Sequence, residues 1–125
     1  MISDTIASFL EQNSVGTLGV SIFVNTMPLE CNEGILLRPE YSGFKYDWEI
    51  PGFFMGRVRV IARSANYDNS IQLIENVLAV LPQYETTIGT TYFRYIRPFQ
   101  KPQTFPVTQA NLFETMFDLD ICYSE

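Results

Sequence analysis

Apolar residues recur along the chain with two spacings, one typical of helices and one typical of strands. Near the start they follow the period of a single helix face, at Ile2, Ile6, Phe9 and Leu10. This spacing predicts a short amphipathic helix over residues 3–12. The same period returns in the middle of the chain and predicts the main helix over residues 68–81, ended by Pro82.

Five other segments alternate apolar and polar residues or are rich in β-branched residues, which is typical of strands. They are residues 20–24, 34–38, 54–63, 91–97 and 110–123. The first two are separated by a turn that contains Pro28 and Asn32, and together they predict a hairpin. The element order is α-β-β-β-α-β-β. We therefore expect a single α+β domain over residues 1–125, with a mostly antiparallel five-stranded sheet and both helices packed on one face.

The third and fifth strands are predicted to have one apolar and one charged face, because successive side chains point to opposite sides. The charged face carries Arg57, Arg59 and Arg63 in one strand and Glu114, Asp118 and Asp120 in the other. Opposite charges on adjacent strands support each other, so these side chains can pair within the chain. A second interpretation is that the arginines meet acidic groups of a neighbouring subunit. A third is that the three acids hold Mg²⁺ or Ca²⁺.

Two long segments without a strand pattern, residues 40–52 and 98–109, are rich in aromatic residues or proline. Loops of this length in a compact domain usually have a function or cover another chain. Folding back over the sheet to complete the core is the alternative. The candidate residues for contact with another chain are Phe44, Tyr46, Trp48, Phe53, Arg57, Arg59, Phe99, Lys101 and Phe105.

Composition excludes several kinds of chemistry. The 125 residues contain no histidine, so Ser-His-Asp and Cys-His catalysis are excluded within one chain. Cys31 and Cys122, without histidine, cannot close a Cys/His zinc site, and we interpret both as free thiols. We therefore expect no enzyme activity, no metal and no cofactor. No apolar run is long enough to span a bilayer, and the net charge of −6 disfavours tight binding to DNA or to anionic lipid.

Several local sequences occur at fixed places in this order of elements. They are the strand 20–24 followed by Pro28, Gly34-Ile-Leu-Leu-Arg38, Ile50-Pro-Gly leading into Gly56-Arg-Val-Arg-Val-Ile-Ala-Arg63, Tyr67 opening the long helix, and Asn111-Leu-Phe opening the last strand. In these features the chain resembles the tail terminator proteins of long-tailed bacteriophages, which are often described as minor capsid or tail completion proteins.

The resemblance implies a virion structural protein, made in the host cytoplasm and placed in the tail at the head–tail junction. Similar proteins form a hexameric ring that caps the tail tube, stops its polymerisation and presents the surface that docks to the head. The implied partners are further copies of the chain, the tail tube protein and a head completion or connector protein. DNA would pass through the lumen without specific binding. In such a ring Glu114, Asp118 and Asp120 are candidate lumen acids, besides being candidate inter-strand acids.

Other function classes stay open on the sequence. One is a different head–tail joining protein, such as a neck or tail completion factor of related fold. Another is a small α+β ligand-binding or regulatory domain, which needs a pocket with convergent polar groups, although the sequence has no Gly-rich phosphate loop. An enzyme that uses carboxylates alone is the third. Placement in a particle at low resolution separates the first class from a tail terminator. Native mass separates a tail terminator from the second class, because a ring and a monomer differ in subunit number.

Overall fold

The computed structural model describes residues 2–28, 30–107 and 111–125, and over these residues the chain has two helices and eight strands. The helices are α1 (Ile2–Gln12) and α2 (Tyr67–Leu78). The strands are β1 (Ile22–Val24), β2 (Gly34–Pro39), β3 (Lys45–Tyr46), β4 (Phe53–Ser64), β5 (Gln83–Ile88), β6 (Thr91–Pro98), β7 (Gln103–Val107) and β8 (Leu112–Ser124). The α+β class is confirmed, whereas the predicted number of five strands is wrong.

All of these strands belong to one mixed sheet with the main order β1-β2-β4-β8-β6-β5. β3 pairs with the first residues of β4, and β7 pairs with the first half of β8. The long strands β4 and β8 form the centre, in an unbroken antiparallel register that runs from Phe53 opposite Ser124 to Ser64 opposite Phe113. Every described strand pair except β1–β2 is antiparallel.

The predicted hairpin between the first two strands is wrong, because β1 runs parallel to β2. A parallel pair requires the chain to return to the other end of the sheet before the next strand begins. Since β1 is only three residues long, the short connection over residues 25–33 is enough for that return. Asn25 begins it with a positive φ of 69°, and its N–H donates to the carbonyl of Leu37 at 2.8 Å.

Three strands lie where the sequence predicts loops or no element. β3 and β7 lie inside the segments 40–52 and 98–109, and β5 directly follows the Leu81–Pro82 peptide bond, which is cis. β5 forms an outer edge of the sheet, and most of its residues are exposed or half-buried, so they lack the alternation that burial of one face imposes. Its ladder is also interrupted at Glu85, whose φ is 48°. A short polar edge strand therefore gives almost no periodic signal.

The main helix is shorter than the predicted 68–81. Asn66 caps its start, since the side-chain oxygen accepts from the N–H groups of Asp68 and Asn69 at 2.8 and 3.2 Å. Ala79 is its C-cap residue. Leu81 nevertheless packs against the core, which explains why the apolar period continues beyond the end of the helix.

The hydrophobic core lies between the two helices and one face of the sheet, which we call the helix side. α1 contributes Ile6 and Leu10, and α2 contributes Ile74 and Val77. The sheet contributes the alternate residues of its central strands that the sequence assigns to the apolar face, among them Val58, Val60, Ala62, Phe117, Leu119 and Ile121. Among the described residues, no helix has the length and apolar character needed to cross a membrane.

Candidate functional site

The face of the sheet opposite the helices, which we call the outer face, carries a row of ion pairs between the two central strands. Arg59 Nε donates to Asp118 Oδ1 at 3.1 Å. Arg63 Nε and Nη2 both donate to Glu114 Oε2, at 3.1 and 3.0 Å. In each pair the partners stand directly opposite each other in the β4–β8 register. Pairing within the chain, one of the interpretations of the sequence, is therefore present for these two arginines.

Arg57 stands opposite Asp120 in the same register but does not pair with it. Asp120 instead accepts from Arg97 Nε of β6 at 3.1 Å. Arg57 lies 3.8 Å from the carboxylate of Glu40, and its guanidinium carbon lies 3.5 Å from the centre of the Phe99 ring. Asp120 thus has an arginine opposite it on each neighbouring strand, Arg57 on β4 and Arg97 on β6, and it bonds to Arg97. The register of β6 determines that Arg97 stands at this position.

Asp118 is the most buried carboxylate of the outer face, with only 3% of its surface exposed. Besides its bond to Arg59, it accepts from Gln100 Nε2 at 3.2 Å, and its own N–H donates to Gln100 Oε1 at 3.1 Å. Its carbonyl accepts from the N–H of Phe99 at 2.8 Å. The connection from β6 to β7 is therefore fixed onto the outer face. The hydrogen bond to Asp118 also raises the pKa of Arg59 above its usual value.

The structure gives no geometric support to a metal site in the part of the chain that it describes, where no three acidic, cysteine or histidine side chains are grouped to hold an ion. Glu114, Asp118 and Asp120 each face an arginine instead. Cys31 and Cys122 are free thiols, as predicted. Burial raises the pKa of the Cys122 thiol, and the nearby Arg94 opposes that effect.

Residues 44–54 form a projecting segment that we call the aromatic arm. Its rings make a continuous series from the surface to the core, with centroid distances of 5.4 Å from Trp48 to Tyr46, 5.3 Å from Tyr46 to Phe54 and 5.6 Å from Phe54 to Tyr123. Trp48 is 85% exposed and Tyr46 is 63% exposed. The arm therefore presents two large aromatic side chains to solvent on a base of packed rings.

Two local features hold the arm in place. The carboxylate of Asp47 accepts from the N–H groups of Glu49 and Ile50 at 3.0 and 3.3 Å, which closes a tight turn around Trp48. At its base the Phe44 ring lies directly over Gly56 of β4, where an added Cβ would collide with the ring. Phe44 and Phe54 pack against the core. The base of the segment thus completes the core, as one interpretation has it, while its tip is exposed and its contact with another chain stays a prediction.

The structure divides the candidate contact residues between two surfaces. Tyr46 and Trp48 form the tip of the aromatic arm, and Phe53 beside it is half-buried with its ring 6.1 Å from that of Tyr92. The remaining exposed candidates lie in and around the connection from β6 to β7: Phe99 and Phe105 beside Arg57 and Arg59 on the outer face, and Lys101 at the margin between that face and α2. Gln100 was missed, since a single glutamine in a proline-rich segment gives no sequence signal.

Comparison with known proteins supplies the family. The family model described as bacteriophage tail terminator protein matches residues 9–124. No curated protein matches the chain significantly. Among solved structures, a chain of the "Virion of native gene transfer agent (GTA) particle" has a similar fold, with a TM-score of 0.65 and 11% identity over 100% of this chain and 89% of that chain. Because the family model spans nearly the whole sequence, this chain belongs to the bacteriophage tail terminator protein family, as the resemblance predicted.

Proposed function

We propose that this tail structural protein closes into a hexameric ring that caps the tail tube, ends its polymerisation and provides the surface that docks to the head. The match of the tail terminator family model to residues 9–124 carries the proposal. It favours this function over a ligand-binding regulatory domain and over an enzyme that uses carboxylates alone. The partners are further copies of the chain, the tail tube protein and a head completion or connector protein.

The separation of the exposed side chains into two surfaces supports a ring. A closed cyclic assembly is held by a heterologous interface, in which one patch of each subunit meets a different patch of the next. The tip of the aromatic arm and the outer face are distinct exposed surfaces built from different elements, so one subunit can meet its neighbours and the tube through different patches. Aromatic residues and arginine, which both patches together provide, are the types enriched in interface cores.

The edges of the sheet favour contact through side chains over backbone pairing between subunits. β1 is only three residues long, β5 is interrupted at Glu85, and β7 contains Pro106. Short, irregular or proline-containing edge strands discourage the addition of another strand. In the proposed assembly, one side of the ring fits the last ring of the tube through loops and faces. The other side does not fit a further tube ring, and tail growth therefore stops.

We also propose that DNA passes through the lumen of the ring without specific binding. The ion pairs of the outer face make this proposal more specific about the charge of the lumen wall. Glu114, Asp118 and Asp120 each have an arginine partner, so their charges are matched locally. If they line the lumen, they give a wall of balanced charge rather than a strongly negative one. Replacing Glu114 by Gln should then leave the rate of DNA ejection from particles within about twofold of wild type. A large change in that rate would show that this acid acts on passing DNA.

The central experiment removes the protein from an otherwise complete phage and measures tail length and head attachment by electron microscopy. We expect over-long or headless tails, and restoration by the wild-type chain supplied separately. Native mass spectrometry with purified tail tubes should show six copies on a capped tube. Tails of normal length that join heads in the absence of the chain would refute the proposal.

A substitution tests the outer-face candidates better than a deletion in residues 98–109, because β7 is part of the sheet and its removal would expose β8. Phe105→Ala and Lys101→Ala change exposed side chains and should leave the fold intact. Tyr84→Ala, at another exposed aromatic residue, is the matched control. We expect uncapped tails with the first two variants and normal tails with the control.

A further inference from the structure

A groove of about 410 Å³ opens between α2 and the β7–β8 pair, a size within the range of ligand pockets. The sequence pattern does not predict this groove, and the ion pairs of the outer face are not part of it. Its lining is mixed, with apolar side chains and a tyrosine in the walls, Glu75 on the rim and two threonine hydroxyl groups in the floor. The walls are formed by Tyr67, Ile71, Leu78 and Pro102, and the floor by Thr104 and Thr115.

The floor of the groove has a hydroxyl relay with a fixed direction. Ser70 Oγ donates to the carbonyl of Tyr67 at 2.8 Å, since a carbonyl can only accept. Ser70 must then accept from Thr115 across their 2.9 Å contact, and Thr115 in turn must accept from Thr104 at 2.8 Å. Each hydroxyl has one hydrogen, so Thr104 Oγ1 ends the relay with its hydrogen used. Its free lone pairs make it an acceptor at the edge of a partly apolar groove, suited to an apolar group with an N–H or O–H.

Trp48 has the matching chemistry. It is the only tryptophan of the chain, and its indole is a large apolar ring with one N–H donor and no acceptor. The ring is 85% exposed and stands on the stacked series of the aromatic arm. Preorganised aromatic side chains that project from a rigid base are typical interface anchors, because little entropy is lost when they bind.

Trp48 cannot reach the groove of its own chain. Tyr46 of the arm pairs with Phe54, whereas Thr115 of the groove pairs with Ala62. Phe54 and Ala62 are eight residues apart on β4, which corresponds to about 26 Å. Both features belong to the helix side of the sheet but lie at its opposite ends. An arm at one end and a groove at the other allow identical copies to join head to tail, and such a contact closes a ring when the rotation between copies divides a full turn.

Charge also matches between the two features. Trp48 is flanked by the acidic residues Asp47 and Glu49. The groove continues past Leu78 and Pro102 into a hollow lined by Lys101, which is exposed and has no ion pair within the described part of the chain. Glu75 lies on the α2 rim. The electrostatic attraction is therefore strongest when the carboxylates of an incoming arm lie near Lys101 and far from Glu75 of α2.

We propose that Trp48 of one copy inserts into the α2–β7 groove of the next copy, where its indole N–H donates to Thr104 Oγ1. The inference rests on the proposed ring and specifies how its subunits join. It assigns the groove to a second copy of this chain, and it assigns Lys101 to an ion pair with the acidic residues beside the incoming Trp48.

Intrinsic fluorescence provides a direct first test, because Trp48 is the only indole present. As the purified chain associates with rising concentration, the emission maximum should move to shorter wavelength in parallel with the increase in native mass. Thr104→Val should shift the association to higher concentration. If the chain forms an oligomer while its emission maximum stays at the wavelength of a solvent-exposed indole, the inference is wrong. The proposed ring would not be affected by that result.

Cross-linking tests which residues meet. In a Cys31→Ser background, Glu49→Cys combined with Pro102→Cys places thiols beside Trp48 and on the groove rim next to Lys101, too far apart in one chain to be joined internally by a short bis-maleimide. We expect a covalent ladder of copies on capped tubes. Adding Trp48→Ala should abolish the ladder, and Thr87→Cys with Pro102→Cys is the control expected to give none.

The outcomes separate the inference from the function on which it rests. Capped tubes with a native oligomer but no ladder would refute the Trp48 contact only. A cross-link to the tube protein would make that protein the occupant of the groove and overturn the inference. If there is neither an oligomer nor capping, the proposed function fails as well.

A double-substitution cycle tests the hydrogen bond itself. Trp48→Ala should weaken association by at least about 30-fold, as for an anchor residue. Trp48→Phe and Thr104→Val should each weaken it about 2- to 10-fold, and together no more than either alone, because both remove one shared bond. Thr104→Ser should keep wild-type affinity. Fully additive losses in the double variant would refute the bond.

The charge pair has a test of its own. Lys101→Glu should weaken association, and Glu49→Lys in the same chain should restore it at low salt. If the double variant assembles no better than Lys101→Glu alone, the arm does not lie beside Lys101.

Discussion

The two faces of the β4–β8 pair arise from the same alternation of residues but stabilise the sheet in different ways. On the helix side, Val58 and Phe117 are buried almost completely against the helices. On the outer face, the side chains of Arg59 and Arg63 keep 35% and 20% of their surface exposed and are held by carboxylates of the neighbouring strand. Alternation therefore specifies which residues share a face, whereas the layer that covers a face decides whether burial or ion pairing stabilises it.

The largest difference between the faces should appear on removing a ring. Phe117→Ala deletes a side chain that is 1% exposed in the centre of the core, and it should cost about 3–5 kcal/mol of unfolding free energy. Phe105→Ala on the outer face, where 46% of the residue is exposed, is the matched control and should cost less than about 1 kcal/mol. Urea denaturation measures both values. Similar losses in the two variants would show that the outer face is covered as well as the core.

Asp118 is the outer-face residue whose removal should come nearest to that loss. Asp118→Ala leaves Arg59 without its carboxylate and removes the side-chain bond to Gln100, so we expect a loss of about 2 kcal/mol by the same measurement. Gln100→Ala, which keeps the ion pair, should cost about half as much. If Asp118→Ala lowers the unfolding free energy no more than the loss of an exposed ion pair does, then the burial of Asp118 adds nothing to the stabilisation by this pair.

Alkaline pH should weaken the chain through a buried group of the outer face. Burial raises the pKa of the Cys122 thiol above its usual 9.0, so the folded state keeps the proton after the unfolded state has released it. The unfolding free energy should therefore fall as the pH rises above about 9. Cys122→Val removes this contribution, and its loss between about pH 8.5 and 10 should be smaller than that of wild type. Equal losses would contradict the prediction.

The exposed ion pair should show the smallest effect. Arg97 pairs with Asp120 while 44% of the arginine side chain is exposed, so Arg97→Ala should cost about 0.2–1 kcal/mol. Added salt should reduce that cost further, because exposed charges are screened. Unfolding at low and high salt measures both effects. If Arg97→Ala lowers the unfolding free energy as much as Asp118→Ala does, then the stabilisation by an ion pair on this face does not depend on how exposed the pair is.

Much of the centre of the fold could be predicted from the sequence, because the middle residues of β4 and β8 alternate between a buried apolar face and a face that carries the paired charges. The strands at the margins could not be predicted. β3 is two residues long and β7 contains Pro106, so neither has a continuous pattern. The parallel direction of β2 relative to β1 could not be predicted either. It is possible because β1 is so short that the connection between the two strands can lead back to its starting end, and no turn motif in the sequence signals this.

The candidate surfaces were predictable to a different degree. The aromatic composition of this region left two alternatives, contact with another chain or folding back onto the core, and the structure places Phe44 against the core and Trp48 at the surface. The α2–β7 groove could not be predicted, because its floor depends on β7 lying beside β8, so that Thr104 stands opposite Thr115. Likewise, the partner of Asp120 depended on β6, whose register shifts between Phe93 and Tyr95.

The row of charges between β4 and β8 has a consequence for how the chain folds. The paired charges are far apart in sequence, 51 residues for Arg63 and Glu114, so the two strands must find each other slowly while many copies fold in the same cell. Two β4 strands from different chains would place arginines together, and two β8 strands would place carboxylates together, which is unfavourable for cross-strand neighbours. Only the native register sets Arg57, Arg59 and Arg63 all opposite carboxylates, since a slip of two residues either way leaves one such match. The charges thus favour correct pairing and oppose misassembly.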